Sequence, residues 1–385
     1  MTPGARIAAA IVVLDGWLAG QPVEQALTNW ARGARYAGSG DRAAVRDLVF
    51  DVLRARGSCA HLGQGGDGRA LMLGLLRLQG RDPAADFTGL GHAPPPLTPA
   101  EAAPPPTDPD PLCDLPDWMV PLFEARVGGD LAQLVARFRD RAPLYLRVNT
   151  AKATPAATCA ALAAEGITAR PDPRAVTALE VMSGARQVKT SVPYAQGWVE
   201  PQDLSVQRAI LAVDWRGCSV LDYCAGGGGK ALAIATLGAA RIVAHDADPR
   251  RMADLAVRAA RSDAAITMRA TAELPKAGPF DVVLCDVPCS GSGTWRRDPE
   301  AKWRLTPDRL AALETLQAQI LDAAIAHLQP GGRLVYMTCS LFHAENEAQI
   351  ARFIARHPGW RCESAAVQSP IAASDGFFHA VLRAP

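Results

Sequence analysis

Lysines, paired cysteines and long apolar runs are scarce in this 385-residue chain, and each scarcity argues against a class of protein. No uncharged apolar stretch approaches the ~18 residues of a membrane span, so we expect no membrane association. The nine cysteines include no Cys-x-x-Cys pair and no cluster with zinc-ligand spacing, which predicts reduced thiols, no metal and a cytoplasmic location. The apolar run 7–14 is short and lacks a small-residue cleavage site, so a secretory signal is not expected.

Charge is balanced, with 40 Lys and Arg against 39 Asp and Glu and a net charge of +1. A globally basic surface for nucleic acid is therefore not indicated, and any such surface must come from local clusters. Only five of the cations are lysines, so a lysine within a motif carries extra information. The length and an ordinary hydrophobic content of 49% predict two or three folded domains.

The chain divides into four predicted regions. Residues 1–81 carry apolar residues at helical spacing, and ten of the 23 residues in 94–116 are proline, which predicts an extended linker over 82–117. Residues 118–205 are predicted to form a small α/β module. From 206 to 385 short apolar strands alternate with helices, which is typical of a doubly wound α/β domain. Its predicted strands are 219–222, 242–244, 267–269, 281–285 and 333–337; its predicted helices are 230–237, 249–261 and 307–327, with a stop at Gly331-Gly332.

A glycine-rich loop, Tyr223-Cys-Ala-Gly-Gly-Gly-Gly-Lys230, follows the first of these strands. Glycine lets the backbone approach a ligand closely, and the N–H groups of the following helix point at that ligand. Asp246 ends the next strand, 19 residues after Gly227, where a carboxylate can accept hydrogen bonds from both hydroxyls of a ribose. The loop and the acid together predict a nucleoside-bearing cofactor.

Three cofactors compete for this loop. Gly226-x-Gly228-x-x-Ala231 formally matches a dinucleotide fingerprint, but four consecutive glycines match many patterns. A phosphate-binding P-loop fails because Cys224 stands where its first glycine belongs and Ala231 replaces the Ser or Thr that would hold magnesium. S-adenosylmethionine remains, since its binding loop tolerates more variety.

Two cysteines follow neighbouring strands of the predicted sheet. The fourth and fifth strands run into Asp286-Val-Pro-Cys289 and Thr338-Cys339-Ser340. Ligands of a parallel α/β sheet bind at the carboxyl ends of its strands. We therefore expect both sulfur atoms and the Asp286 carboxylate to face one crevice.

These motifs resemble those of the RNA cytosine-5 methyltransferases of the Sun/Nop superfamily, with the bacterial small-subunit ribosomal RNA enzymes of the RsmB type most similar. The likeness rests on the two cysteine motifs and on Cys-Ala-x-x-Gly-Gly-Lys ending at Lys230, and it covers about residues 118–383. It implies an α/β fold: a Rossmann-like class I methyltransferase domain over 206–385, an RRM-like module over 118–205 and an all-α, NusB-like RNA-binding domain over 1–81.

The resemblance also implies a role for each matching residue. Cys339 would attack carbon 6 of the cytosine, Cys289 would assist product release, Asp286 would bind the cytosine edge, and Lys230 would lie near Asp286. S-adenosylmethionine is the implied cofactor. Its expected contacts are Cys224, Ala225, Gly226, Gly227, Gly228, Gly229, Lys230, Asp246, Thr271 and Asp286.

Two positions depart from the family pattern. The family usually has proline where Gly227 stands, so we expect a less rigid loop. It usually has an acid near the end of the third strand to hold the adenine amine, where this chain has Thr271. Weaker cofactor binding and compensation by Glu273 are both open at this point.

RNA is the expected partner of a monomeric enzyme, with ribosomal RNA favoured by the resemblance and transfer RNA as an alternative. Two clusters predict phosphate and base contacts: Arg137, Arg139, Arg141 and Arg147, and then Arg296, Arg297, Lys302 and Arg304 with Trp295 and Trp303 interleaved. The alternative function is a catalytically weak or inactive RNA-binding assembly factor. A dinucleotide-dependent oxidoreductase would explain neither cysteine.

Overall fold

The computed structural model describes residues 1–103, 107–372 and 374–385, and the chain folds into two compact units. The first comprises Met1–Arg141 and Trp295–Arg304, and the second Ala142–Thr294 and Leu305–Pro385. Helices and strands are numbered below in chain order. Residues 104–106, part of the predicted linker, lie outside the described residues.

The first unit is helical. On α3, Val45, Val49 and Val52 recur at helical spacing and are fully buried, as an amphipathic helix requires. Thr2 begins α1, and its hydroxyl accepts a hydrogen bond from the first turn. The helices are α1 (Pro3–Leu18), α2 (Val23–Gly33), α3 (Ser39–Arg54), α4 (Arg56–Gly63), α5 (Gly68–Leu78), α6 (Pro99–Ala102), α7 (Val120–Val127), α8 (Leu131–Arg139) and, from later in the chain, α14 (Pro299–Arg304).

The segment predicted as a linker packs on these helices over its described residues. Phe87 lies in the helical core. Arg69 of α5 forms an ion pair with Glu101 of α6 at 2.6 Å. Asp114, which is fully buried, accepts hydrogen bonds from the N–H and the hydroxyl of Ser58. Proline keeps the segment from forming long helices, but its other side chains tie it to the unit, so it does not act as a free spacer here.

Helices α7 and α8 belong to the helical unit, although the sequence placed them at the start of the small α/β module. Phe123 of α7 and Phe138 of α8 pack edge to face with ring centroids 5.6 Å apart. Trp295 completes the cluster, with centroids 5.7 and 5.9 Å from these two rings. This aromatic cluster therefore holds the segment Trp295–Arg304, which follows the Cys289 motif in the chain, in the helical unit.

The second basic cluster lies largely inside the same unit. Lys302 is 1% exposed, its ammonium donates to the backbone oxygen of Arg54, and burial lowers its pKa to about 8. Trp303 donates its indole N–H to the backbone oxygen of Leu53. Arg296 is also buried. The prediction that this cluster meets RNA is therefore wrong for Trp295, Arg296 and Lys302, because they are not accessible.

The first basic cluster is neutralised within the protein. Arg137, Arg139 and Arg141 form ion pairs with aspartates, and a phosphate would have to displace those carboxylates; the partners are Asp140, Asp114, Asp47 and Asp51. Arg147 lies in the second unit, where it is 4% exposed and burial lowers its pKa to about 10. The prediction of an RNA contact is wrong for Arg147.

A small antiparallel sheet with strand order β2-β3-β1-β4 opens the second unit. Thr154 caps the helix of this module, because its hydroxyl accepts a hydrogen bond from the Ala157 N–H. The elements are β1 (Leu144–Val148), α9 (Pro155–Ala164), β2 (Thr168–Pro171), β3 (Ala178–Ser183), α10 (Val192–Ala195), β4 (Val199–Pro201) and α11 (Leu204–Leu211).

The larger sheet has strand order β10-β11-β9-β8-β5-β6-β7, with β9, β8, β5, β6 and β7 parallel and β10 and β11 antiparallel to their neighbours. This confirms the predicted doubly wound α/β fold. The elements are β5 (Ser219–Asp222), α12 (Gly229–Ala235), β6 (Arg241–Ala244), α13 (Leu255–Arg261), β7 (Ile266–Met268), β8 (Phe280–Asp286), α15 (Pro307–Ala324), β9 (Leu328–Thr338), α16 (Glu347–Arg356), β10 (Arg361–Gln368) and β11 (Phe377–Arg383).

Alternate residues of the central strands enter two hydrophobic clusters, one on each face of the sheet. Val220 and Val282 pack in one cluster, and Leu221 and Val283 in the other. Several predicted boundaries differ from the structure. The predicted helix 307–327 consists of α15, which ends at Ala324, and the 3-10 turn Ile325–His327. Strand β9 then begins at Leu328 instead of 333, so the two glycines predicted as a helix stop lie inside it, and the predicted helix 249–261 is split into the 3-10 turn Pro249–Met252 and α13. Among the described residues no helix has the length and apolar character needed to cross a bilayer.

Candidate active site

The carboxyl ends of β8 and β9 carry the two predicted cysteines. Asp286 ends β8 in register with Met337 of β9, Cys289 follows three residues later, and Cys339 comes directly after β9. The two sulfur atoms lie 3.4 Å apart. Parallel neighbouring strands thus bring both thiols to the same edge of the sheet.

An ion pair adjoins this thiol pair. Lys230, in the first turn of α12, donates a hydrogen bond to Oδ2 of Asp286. Burial alone would lower the pKa of Lys230, but the Asp286 carboxylate more than offsets burial, so the pKa is raised and the ammonium stays charged. The lysine and the aspartate that the sequence singled out are therefore direct partners.

The two thiols differ in acidity. The hydrogen bond donated by Cys289 lowers the pKa of Cys339 despite the opposing effect of burial, and the nearby Lys230 acts in the same direction. That same bond, together with burial, raises the pKa of Cys289 well above the usual thiol value. Cys339 is therefore the more acidic of the two thiols, which makes it the better candidate for a nucleophile.

The glycine loop has the tight geometry its sequence suggested. Gly226 and Gly228 have φ values of +50° and +77°, and a Cβ on Gly228 would lie 2.1 Å from a Leu255 methyl carbon. Asp246 accepts hydrogen bonds from the Gly226 N–H at 2.9 Å and from the Asp248 N–H at 3.0 Å, one on each carboxylate oxygen. Oδ2, which accepts from Gly226, also pairs with the Arg251 guanidinium at 3.1 Å. Oδ1 keeps a further lone pair for a ribose hydroxyl, whereas a second hydroxyl at Oδ2 would have to displace Arg251.

Thr271 is connected to this loop through His245. His245 Nδ1 lies 2.8 Å from the backbone oxygen of Tyr223, and Nε2 lies 2.9 Å from the Thr271 hydroxyl. Because a carbonyl only accepts, Nδ1 carries a proton. In the tautomer with its one proton on Nδ1, Nε2 accepts a hydrogen bond from the Thr271 hydroxyl. Glu273, the possible substitute for the missing acid, instead caps its own turn by accepting from the Ala270 N–H.

Asp222 is a site residue that the sequence analysis left without a role. It ends β5 immediately before the loop, is 1% exposed, and neither carboxylate oxygen has a side-chain hydrogen-bond partner within the described part of the chain. Burial raises its pKa to about 7. A buried acid with spare acceptors beside a nucleoside-binding loop fits a ligand that carries positive charge, as S-adenosylmethionine does. The sequence feature that could have identified Asp222 is its position at the end of a strand, directly before the glycine-rich loop.

Cys224 and Ala225 belong to the same glycine-rich loop. Burial raises the pKa of the Cys224 thiol, so this cysteine is an inert part of the wall rather than a third reactive sulfur. The Ala225 N–H donates to the backbone oxygen of His245, which joins the loop to β6. Among the described residues, no group of three or more His, Cys, Asp and Glu side chains could hold a metal ion.

Two family models match this chain. One, described as 16S rRNA methyltransferase RsmB/F, matches residues 210–383, and the other, described as the ferredoxin-like domain of RsmF/B-like methyltransferases, matches residues 115–188. The chain belongs to the RsmB/F methyltransferase family. The resemblance stated from the motifs is thereby confirmed, and so is S-adenosylmethionine, the methyl donor of this family, as the cofactor. The residues at the loop, Asp222 and Asp246 fit that cofactor.

Individual relatives match about two thirds of this chain. Ribosomal RNA small subunit methyltransferase B of Vibrio cholerae is 34% identical over 281 residues, 69% of this chain and 64% of that protein. Its counterpart from Xanthomonas campestris is 35% identical over 298 residues, 69% of this chain and 66% of that protein. The matched region thus spans just under two thirds of the length of these relatives.

Solved structures show the same fold. The crystal structure of PH0851 is 23% identical, has a TM-score of 0.78 and covers 99% of each chain. NSun6 from Pyrococcus horikoshii, solved with SFG, is 18% identical, has a TM-score of 0.62 and covers 70% of this chain and 98% of that one. At these identities the likeness concerns the fold alone.

Proposed function

We propose that this protein transfers a methyl group from S-adenosylmethionine to carbon 5 of a cytosine in RNA through a covalent bond between Cys339 and carbon 6. The observation that carries the proposal is the pair of sulfur atoms 3.4 Å apart at the strand edge that also holds the Lys230–Asp286 ion pair. The names of the relatives support ribosomal RNA of the small subunit as the substrate.

Cys339 begins the reaction. Carbon 5 of cytosine is a poor nucleophile, but addition of the Cys339 sulfur to carbon 6 breaks the 5,6 double bond and moves its electron pair onto carbon 5. Asp286 accepts a hydrogen bond from the cytosine edge and holds the base, and the Lys230 ammonium holds the Asp286 carboxylate in place. The target base must leave any stack before the sulfur can reach it.

Release of the product falls to the second thiol. Bound S-adenosylmethionine supplies the methyl group as an electrophile on its sulfonium. Carbon 5 then carries a methyl group and a proton; the proton leaves to a base, the double bond re-forms, and the carbon 6–sulfur bond breaks with its electrons returning to Cys339. Cys289 donates a hydrogen bond to that departing thiolate across 3.4 Å.

The test is incubation with labelled S-adenosylmethionine and small-subunit ribosomal RNA, followed by nucleoside analysis. We expect label in 5-methylcytidine, none with Cys339→Ala, and a covalent protein–RNA species on a denaturing gel with Cys289→Ala. A Cys339→Ala protein that still methylates would contradict the assigned role. Label confined to transfer RNA would keep the chemistry and change the substrate.

A second candidate is an RNA-binding assembly factor with little or no turnover. Gly227 and Thr271, which replace a proline and an acid of the family pattern, favour it. The difference in acidity between the two thiols beside the Lys230–Asp286 ion pair favours the enzyme, because RNA binding alone does not require an acidic cysteine. Binding of RNA and cofactor without any transfer of label would support the second candidate.

A further inference from the structure

One buried carboxylate contacts the residues that directly follow both cysteines. Glu345 is 0% exposed. Its Oε1 accepts a hydrogen bond from the Ser290 N–H at 2.8 Å, and its Oε2 accepts from the hydroxyls of Ser290 and Ser340, each at 2.5 Å. Ser290 follows Cys289 and Ser340 follows Cys339 in the chain. A single side chain therefore holds both Cys-Ser dipeptides.

Gln317 of α15 completes the set of donors. Its amide donates to Oε1 of Glu345 and to the backbone oxygen of Pro288, both at 2.9 Å. An ionised carboxylate has about four lone-pair sites and only accepts hydrogen bonds. All four are used here, so Ser290 and Ser340 must both direct their protons at Glu345. A side chain with its own N–H would turn one of these donors away.

Further bonds tie the same two loops together. The Ser292 hydroxyl lies 3.1 Å from that of Ser340 and accepts from the Leu341 N–H. The Gly293 N–H donates to the backbone oxygen of Cys339 at 2.9 Å. With Glu345 at their centre, these bonds leave the two loops little freedom to separate, which fits the short distance between the sulfur atoms.

We propose that Glu345 is the positioning residue of the cysteine pair: it sets the separation of the two sulfur atoms, and its negative charge keeps the proton on Cys289 so that Cys339 remains the nucleophile. The meaning of this for catalysis rests on the proposed function. The other titratable groups facing the pair are Lys230 and Asp286 at the strand edge and the Tyr336 hydroxyl below it. The hydrogen bond with Cys339 and burial raise the pKa of Cys289 most, and the Glu345 carboxylate acts in the same direction, since a nearby negative charge disfavours a second one.

The test reads the thiols directly, without cofactor or RNA. The full-length protein is treated with limiting iodoacetamide from pH 6 to pH 10, and alkylation of each cysteine is measured by peptide mass spectrometry. We expect Cys339 to react before Cys289, and Glu345→Gln to reduce that preference about tenfold, the effect of one unit of pKa difference. Glu363→Gln, which removes a carboxylate paired with Arg383 on β11, is the control and should leave the preference unchanged.

A second readout measures the separation of the sulfur atoms. Dibromobimane links two neighbouring thiols, and its cross-linking yield should fall several-fold in Ser340→Ala, which loses one bond to Glu345 while the charge stays. The order in which the two cysteines react should not change in that variant. Ser340→Ala also decides the proposal if Glu345→Gln does not fold.

Two results would overturn the proposal. One is an unchanged Cys339 preference in folded Glu345→Gln; the other is an unchanged cross-linking yield in Ser340→Ala. Either would make Glu345 a structural residue only. Failure of the proposed function is a separate outcome, since the thiol results can be as expected while no RNA accepts a methyl group.

Discussion

Arg258 of α13 donates a hydrogen bond to the backbone oxygen of Gly227, the loop position where the family pattern has proline. Arg258 is itself held by the buried Glu200 at 3.0 Å. A proline restrains a loop by fixing φ, whereas here a charged side chain restrains it from outside. The expectation of a less rigid loop considered Gly227 alone and missed this partner, which lies 31 residues further along the chain.

Loss of this restraint should weaken cofactor binding. Arg258→Met keeps the aliphatic part of the side chain and removes the donor, so we expect about a tenfold loss of affinity for S-adenosylhomocysteine in calorimetry, in keeping with about 1.5 kcal/mol for a hydrogen bond from a charged group. Arg216→Met is the matched control because that side chain is 84% exposed and pairs only with a nearby surface aspartate. Equal affinities in the two variants would contradict the role.

Asp222 should give the protein an unusual dependence of stability on pH. Burial raises its pKa from 3.8 to about 7, so the folded state holds a proton that the unfolded chain has released between those values. This favours folding at low pH and is lost as the pH rises through 7. We expect Asp222→Asn to raise the melting temperature by several degrees at pH 8.5 and by clearly less at pH 5, measured by calorimetry without cofactor.

A second aspartate, Asp214, should change stability with the opposite dependence on pH. Hydrogen bonding by the Arg216 N–H lowers the pKa of the exposed Asp214, so its charge favours folding above its unfolded pKa. Asp214→Asn should therefore bring no gain at pH 8.5. A gain of equal size in both variants would indicate a general charge effect and would remove the special status of Asp222.

Glu300 should stabilise the helical unit. One of its carboxylate oxygens accepts hydrogen bonds from the Trp17 indole and from the N–H of Val23, each at 3.0 Å, and pairs with Arg304. Val23 begins α2, where a negative charge is favoured. Glu300→Ala leaves both donors without this acceptor, so we expect a loss of about 2–3 kcal/mol in urea unfolding followed by tryptophan fluorescence. Glu314→Ala, which removes a partly exposed carboxylate that pairs with Arg352, should lose well under half as much.

The sequence was sufficient to predict that the two cysteines lie together. Cys289 and Cys339 stand in short motifs after apolar strands, and parallel strands place their carboxyl ends at one edge, so local pattern and topology together bring them to one place. The same reasoning failed for Lys302, which looks like a surface cation but whose ammonium is buried against a backbone oxygen 248 residues earlier. Glu345 stands in the Glu345-Asn346-Glu347 stretch of the family resemblance, but its burial could not be predicted, because its donors Ser290 and Gln317 lie 55 and 28 residues away in the chain.

Thr271 should still select for the amino group of adenine, although it is not an acid. In sheet order Asp246, the predicted ribose ligand, follows β6, and Thr271 follows the edge strand β7, so a nucleoside bound at Asp246 would extend its base towards Thr271. When Nε2 of His245 accepts the hydrogen bond of the Thr271 hydroxyl, the threonine oxygen is left to accept a hydrogen bond from an N–H donor. A base with a carbonyl in place of the amine has no N–H at that position to donate to Thr271.

The measurement compares S-adenosylhomocysteine with its inosine analogue, in which the amine is replaced by a carbonyl. We expect the protein to prefer the adenosine form, Thr271→Val to lose most of that preference, and Thr271→Asp to keep it or strengthen it. Thr315→Val is the control, because that exposed hydroxyl only donates to a backbone oxygen of its own helix. If Thr271→Val binds both compounds as the unaltered protein does, the base is held elsewhere, and the replacement of the family's acid has no bearing on cofactor choice.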